Sequence, residues 1–233
     1  RYLMMATLYN YYAAEYQALA HQAFNIGKER LQQIRHKRPD DTNLAVVVDI
    51  DETILNNTPY EAKMMLEGKE YESESWYQWC NMSVAEPVPG ALEFLQFADS
   101  LGYHVFYITN RKEKFVGDGT RENVRNMGFP QTSDDHFLLR TDERNKEKRR
   151  QSVSDNYEIV LLAGDNLGDF YEDTDVFSAR EATMKSNIND FGHKFIVLPN
   201  AIYGDWLKAI GIPGEPQIID SLLHNMAVPY KNQ

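Results

Sequence analysis

Asp49 and Asp51, separated by one residue, close the apolar run Leu44-Ala45-Val46-Val47-Val48 and are followed by Glu52 and Thr53. Side chains alternate along an extended chain, so the two aspartates start on the same side, close enough to share a substrate and a metal ion. Further along, Thr109-Asn110-Arg111 follows the run Val105-Phe106-Tyr107-Ile108, and Asp165-Asn166 with Asp169 follows Ile159-Val160-Leu161-Leu162. Lys146 and Lys148 lie between them in a charged segment. A carboxylate can attack phosphorus, move a proton or bind a metal, a threonine hydroxyl can hold a transferring oxygen, and a lysine can neutralise developing charge. Gathered at one place, these residue types suit phosphoryl transfer from a small ester.

Such a site needs a cation. Two unit charges ~4 Å apart interact by ~4 kcal/mol at an effective dielectric of about 20, so a phosphate facing carboxylates alone is repelled. Mg²⁺ meets the need with oxygen ligands, using a few carboxylates and the substrate phosphate, and a lysine balances what remains. Each motif alone has a plainer reading. Asp-x-Asp also opens calcium loops, but the loop glycine and distant Glu of that motif are missing here. Arg144-Asn145-Lys146-Glu147-Lys148-Arg149-Arg150 alone reads as a solvated helix face, Gly164-Asp165-Asn166 as a turn, and Thr109 as the last residue of a strand. Their order, and their shared position after apolar runs, carry the functional reading.

An alternation of strand and helix signals must position these groups. Leu44 to Val48 is apolar throughout, the mark of a strand buried on both faces, so the fold class is α/β with a parallel sheet. Further strands are expected at 105–108, 137–139, 159–162 and 195–198, with helices from 91 to near 102, over 121–127 and from 143 to about 153. In such sheets ligands bind beyond the carboxyl ends of the strands, where Asp49, Thr109 and Asp165 fall. Residues from about 8 to 36 read as one long amphipathic helix with Tyr12, Tyr16, Leu19, Ala23 and Ile26 on its packing face, ended by Pro39. From Asn56 to about Glu86 the pattern is irregular, polar and aromatic, with Trp76 and Trp79 close together, as in an insert over the end of the first strand. The whole of 1–233 reads as a single domain, with a Rossmann-like core over about 42–58 and 87–200 and helical additions over about 1–38, 59–86 and 201–233.

Composition narrows the classes. The chain has 233 residues, 42% of them hydrophobic, and a formal net charge of -11. That is enough core for one domain, and an average field that repels nucleic-acid polymers. Cys80 is the one cysteine, which excludes an internal disulfide and a thiolate metal site. No run is long and apolar enough to span a membrane. No signal peptide is visible, and the missing initiator Met points to a removed N-terminus.

In that order the motifs resemble the haloacid dehalogenase (HAD) superfamily: a strand then Asp-x-Asp-x-Thr (Asp49, Asp51, Thr53), a strand ending in Thr109, a lysine, and the acidic pair Asp165 and Asp169. The longer segments Asp49-Ile-Asp-Glu-Thr-Ile-Leu-Asn-Asn-Thr-Pro-Tyr60, Ile108-Thr-Asn-Arg111, Gly164-Asp-Asn-Leu-Gly-Asp-Phe170 and Pro199-Asn-Ala-Ile-Tyr-Gly-Asp-Trp206 look like the class C bacterial acid phosphatases. Glu15-Tyr-Gln-Ala-Leu-Ala20 is similar to theirs as well. The likeness covers nearly the whole chain.

The resemblance implies a HAD core with a small, mainly helical cap and a long N-terminal helix, and it implies roles. Asp49 is the nucleophile that forms an aspartyl-phosphate, and Asp51 protonates the leaving oxygen and then acts as base for water. The Asp51 backbone carbonyl, with the Asp49 and Asp165 carboxylates, binds Mg²⁺. Thr109 hydrogen-bonds the phosphoryl group, and Asp169 supports the metal site or orients the lysine. Lys146 follows Asn145, as the family's lysine follows an Asn, and is preferred to Lys148. Trp76 and Tyr203 fall where the family stacks a nucleoside base, with Asn110 as a further substrate contact; the plainer reading has both aromatics packing the helical additions.

The expected function is Mg²⁺-dependent hydrolysis of small phosphomonoesters, nucleoside 5′-monophosphates included. Mildly acidic pH should favour it, because Asp51 must carry a proton as the leaving group departs. The resemblance also implies an exported lipoprotein, at the bacterial outer membrane or cell surface or in the periplasm, touching membrane only through a lipid anchor. One rival is a phosphotransferase on the same intermediate, and another is a non-catalytic surface or storage protein that binds a ligand through its aromatics. The N-terminal helix leaves a homodimer open.

Overall fold

The computed structural model describes residues 2–172, 176–211 and 216–226. Its strands are β1 (Leu44–Val48), β2 (Leu55–Asn56), β3 (Glu86–Pro87), β4 (His104–Lys112), β5 (Phe137–Arg140), β6 (Glu158–Gly164) and β7 (Phe195–Val197). Five form one parallel sheet in the order β5-β4-β1-β6-β7, and β2 pairs antiparallel with β3. Central β1 is buried along its whole length because both faces carry core. Leu44, Val46 and Val48 enter one apolar cluster with Phe94 and Tyr107, while Ala45 and Val47 enter the other with Phe106, Ile108, Leu162 and Phe195. Burying each Val or Leu side chain stabilises by about 1.5–3 kcal/mol, which a strand facing water on one side would half forgo. The chain leaves β1 in one direction for β4 and β5, then returns to its other side for β6 and β7. The crevice at that reversal, beyond the ends of β1 and β6, is where such sheets bind ligands.

The helices are α1 (Tyr2–Tyr12), α2 (Ala14–Lys37), α3 (Thr58–Leu66), α4 (Ser73–Met82), α5 (Ala91–Ser100), α6 (Glu113–Asn126), α7 (Glu147–Ser154), α8 (Phe177–Ser186), α9 (Asp205–Ala209) and α10 (Pro216–Met226). The expected single N-terminal helix is instead α1 and α2, broken at Ala13, whose backbone is extended. The two halves serve different surfaces: α1 packs on α3, and α2 on α5 and β7. The packing face of α2 is Tyr16, Ala20, Phe24, Gly27 and Leu31, whereas Tyr12 and Leu19 are exposed. A stripe read from large apolar residues misses a face marked by Ala20 and Gly27, small enough to admit α5.

Other boundaries moved as well, and β4 runs on to Lys112 rather than ending near Thr109. Helix α6 starts at Glu113 rather than near 121, because Gly117 and Gly119 lower helix propensity yet permit close packing. A Cβ at Gly119 would lie 2.7 Å from the Asn81 Cα, so α4 seats on α6 only without a side chain there. Helix α7 starts at Glu147 rather than 143, which leaves Lys146 at its N-cap. The insert condenses into α3 and α4 joined to β2 and β3. Of the addition expected over 201–233, α9 and α10 are seen, while 212–215 and 227–233 lie outside the described residues. Among the described residues, no helix is long and apolar enough to cross a membrane.

Candidate active site

Asp49 is the first residue past β1, and its backbone N–H still donates to the Ala163 carbonyl at 2.9 Å, so the sheet itself aims its side chain. Lys146 reaches it from the N-cap of α7, buried, with Nζ donating to Asp49 Oδ1 and, at 2.6 Å, to Asp169 Oδ1. Asp165 follows β6 and accepts from Asn200 Nδ2 at 2.7 Å. Carboxylate oxygens of Asp49, Asp165 and Asp169 lie within 4.8 Å of one another. Gly164 makes this approach feasible: a Cβ there would meet Asp169 Oδ2 at 2.3 Å. Lys148, by contrast, is exposed and pairs with Glu143 on the surface. Of the two lysines, Lys146 is the one the fold brings to the carboxylates.

Three carboxylates around one ammonium, Asp49 and Asp169 buried and Asp165 half-buried, leave an excess of negative charge. Burial pushes the Asp49 carboxyl up to about 7, opposed by Lys146 and reinforced by Asp169 and Asp51. Burial, then Asp169 and Asp49, also holds Asp165 well above the carboxylate range. The donor set is wholly carboxylate oxygen, which fits a hard divalent cation such as Mg²⁺ and offers nothing to a thiophilic one.

This charge state has a measurable consequence. Asp49 has a higher pKa folded (about 7) than its ordinary 3.8, so without metal the native state binds the extra proton between those values. Its contribution to stability is full at low pH and is lost as pH rises through about 7. In chelator, the Tm of wild type should therefore fall relative to that of Asp49→Asn as pH rises across this window, and Mg²⁺ should remove the difference. A constant difference would contradict the burial account.

The Asp51 carboxylate is not among the three that lie within 4.8 Å of one another. The extended strand ends at Val48, and Asp51 instead bridges to Leu55, with Glu52 beside it in a left-handed conformation (φ 54). The Asp51 carboxylate faces Arg111 in β4. Its Oδ1 accepts from Arg111 Nε and from Asn57 Nδ2, each at 2.9 Å, with Arg111 Nη2 in ion-pair contact at 2.8 Å. Thr109, fully buried in β4, donates its hydroxyl to Asp51 Oδ2 at 3.4 Å and accepts from the Arg111 N–H at 3.1 Å.

Asn110 accepts from Arg149 Nη2 at 2.7 Å, and Arg149 Nη1 also donates to the Thr109 carbonyl. Arg149 further donates to the carbonyls of Arg144 (3.1 Å) and Asn145 (3.3 Å), tying the end of β4 to the turn that presents Lys146. Trp76 is half-buried, with Tyr60 edge-on at 5.1 Å and the Arg111 guanidinium 5.6 Å from its ring centre. Tyr203, also half-buried, lies between β7 and α9. Next to it, Asp205 accepts from Arg144 and, at 2.9 Å, from Asn166 Nδ2. Sequence reasoning passed over Arg111, Asn57, Arg149 and Asp205. Arg111, Asn57 and Asp205 stand inside motif segments, which is a signal of position but not of partner; Arg149 looked like one more solvated charge.

Over residues 2–206 the sequence matches the family described as HAD superfamily, subfamily IIIB (Acid phosphatase). The crystal structure of the class C acid phosphatase from Bacillus anthracis with tungstate bound superposes at a TM-score of 0.88, with 34% identity over 98% of each chain. Acid phosphatase 1 of Solanum lycopersicum is 29% identical over 137 residues, 56% of this chain and 53% of that protein. Vegetative storage protein 2 of Arabidopsis thaliana is 29% identical over 143 residues, 58% of this chain and 53% of that protein. The chain spans about half the length of these curated relatives.

Proposed function

The chain belongs to subfamily IIIB of the HAD superfamily, the acid phosphatases, and from this we propose that it is a Mg²⁺-dependent phosphomonoesterase working through a phosphoryl-Asp49 intermediate. The observation that carries the proposal is the buried Lys146 bridging Asp49 and Asp169, with Asp165 alongside, in the crevice where the sheet reverses. A carboxylate so placed is a nucleophile with a cation beside it to receive the phosphoryl oxygens.

In the first half-reaction an Asp49 oxygen attacks phosphorus while Asp51 protonates the departing ester oxygen. Lys146 and the Thr109 hydroxyl hold the transferring oxygens. In the second, Asp51 takes a proton from water as that water displaces Asp49. Asp49, Asp165 and the Asp51 carbonyl would hold Mg²⁺, which supplies positive charge against the phosphoryl group. Asp169 keeps Lys146 aimed. Tungstate, bound by the Bacillus anthracis protein, is a tetrahedral oxyanion like phosphate, which supports the reading of this chain as one that binds phosphate-like oxyanions.

Nucleoside 5′-monophosphates are the proposed substrates, with Trp76 and Tyr203 as platforms for the base. Stacking on an aromatic is worth about 1–3 kcal/mol per base. Trp76→Ala or Tyr203→Ala should thus raise KM for a nucleoside 5′-monophosphate about tenfold, and leave KM for glycerol phosphate close to wild type. Equal effects on both substrates would return these rings to packing. The relatedness to a vegetative storage protein favours a second reading, a binding protein without turnover. Metal-dependent phosphate release supports the enzyme, and tungstate binding without release supports the other. Acceptor alcohols that divert the phosphoryl group from water would mark a phosphotransferase. The bacterial class C likeness supports an exported location.

A further inference from the structure

We infer that Arg111 is the positioning residue of the proton-transfer step, fixing Asp51 so that Oδ2 alone is left to exchange a proton with the reacting ester. This rests on the reading of Asp51 as acid and base. The two oxygens of Asp51 are unequally engaged. Oδ1 accepts from Arg111 Nε and from Asn57 Nδ2, both at 2.9 Å, with Arg111 Nη2 in ion-pair contact at 2.8 Å. Those two hydrogen bonds, one of them charge-assisted, engage both of its lone-pair directions. Oδ2 has the single 3.4 Å contact with Thr109 Oγ1.

Arg111 is itself held from several sides. Its side chain is 1% exposed, and a guanidinium so buried persists only when paired. Nη2 also donates to Asn57 Oδ1 at 3.2 Å, and Nη1 to Thr120 Oγ1 in α6 at 3.3 Å. Asn57 Oδ1 in turn accepts from Trp79 Nε1 at 2.8 Å. The sheet, α6 and the cap therefore all fix one guanidinium, and it fixes one carboxylate oxygen.

The balance is simple. In the first half-reaction the P–O(ester) bond breaks as the P–O(Asp49) bond forms, and the Oδ2 proton passes to the departing oxygen. In the second, the water oxygen bonds phosphorus, the P–O(Asp49) bond breaks, and a water proton returns to Oδ2. Arg111 gives and takes no proton.

The test is a series of aryl and alkyl phosphates of rising leaving-group pKa, comparing kcat/KM for wild type, Arg111→Met, Arg111→Lys and Asp51→Asn, with Tm recorded for each. Arg111→Met should lose on the order of 100-fold on alkyl phosphates, whose leaving group needs the proton. It should lose far less on dinitrophenyl phosphate, whose leaving group does not. Arg111→Lys keeps the charge and should recover part of the loss. A loss equal across the series, or failure of both variants to fold, overturns the inference by making Arg111 a structural group. If Asp51→Asn itself leaves the leaving-group dependence unchanged, the reading of Asp51 falls first and the inference with it. If Asp51→Asn steepens the dependence and Arg111→Met does not, the inference alone falls.

Discussion

Asn in place of Asp49 should lower phosphate release by on the order of 10⁴-fold or more, because a neutral amide cannot form the proposed acyl phosphate. The substitution is nearly isosteric and removes a charge that burial disfavours, so the variant should fold as wild type does and match or exceed its Tm in chelator. Release of phosphate from a nucleoside 5′-monophosphate and from an aryl phosphate, both with Mg²⁺, checks the loss. Activity that survives would move the nucleophile elsewhere and undo the other assignments around it.

The second large effect is on stability as well as rate. Asp49, Asp165 and Asp169 repel one another across less than 4.8 Å, and a divalent cation reverses that repulsion. Magnesium at about 100 times its Kd stabilises by about 2.7 kcal/mol. For a chain of this length that is roughly 5–10 °C in Tm. Removing it should cost on the order of 10³-fold or more in rate. Asp165→Asn should forfeit most of the Tm shift, since it neutralises one carboxylate of the cluster. A melting curve indifferent to Mg²⁺ in wild type would contradict the metal site directly, whatever the activity.

How much of this could be read from residues alone depends on the range of the cause. Leu44 to Val48 announced a buried strand because its burial on two faces is written locally, and the two acidic motifs followed from where apolar runs stop. Helix ends were less legible. The break at Ala13 comes from α1 meeting α3 while α2 meets α5 and β7, and nothing in Ala13 itself signals it. The start of α6 was hidden by Gly117 and Gly119, whose helix penalty is offset by close packing that only the fold reveals. The Asp51–Arg111 pair joins residues 60 positions apart, and no spacing rule reaches that far. Asn145 before it favours Lys146 over Lys148 in the sequence, and the fold adds that the N-cap of α7 turns Lys146 inward and leaves Lys148 outside.

The most direct test is to quench the enzyme in acid during turnover of a nucleoside 5′-monophosphate with Mg²⁺, then reduce with borohydride and map the peptides. An acyl phosphate survives acid and is reduced to the alcohol, so the account predicts homoserine at position 49 and unmodified Asp at 51, 165 and 169. A phosphoryl group found on another side chain, or turnover at full rate with no modification at Asp49, would contradict it.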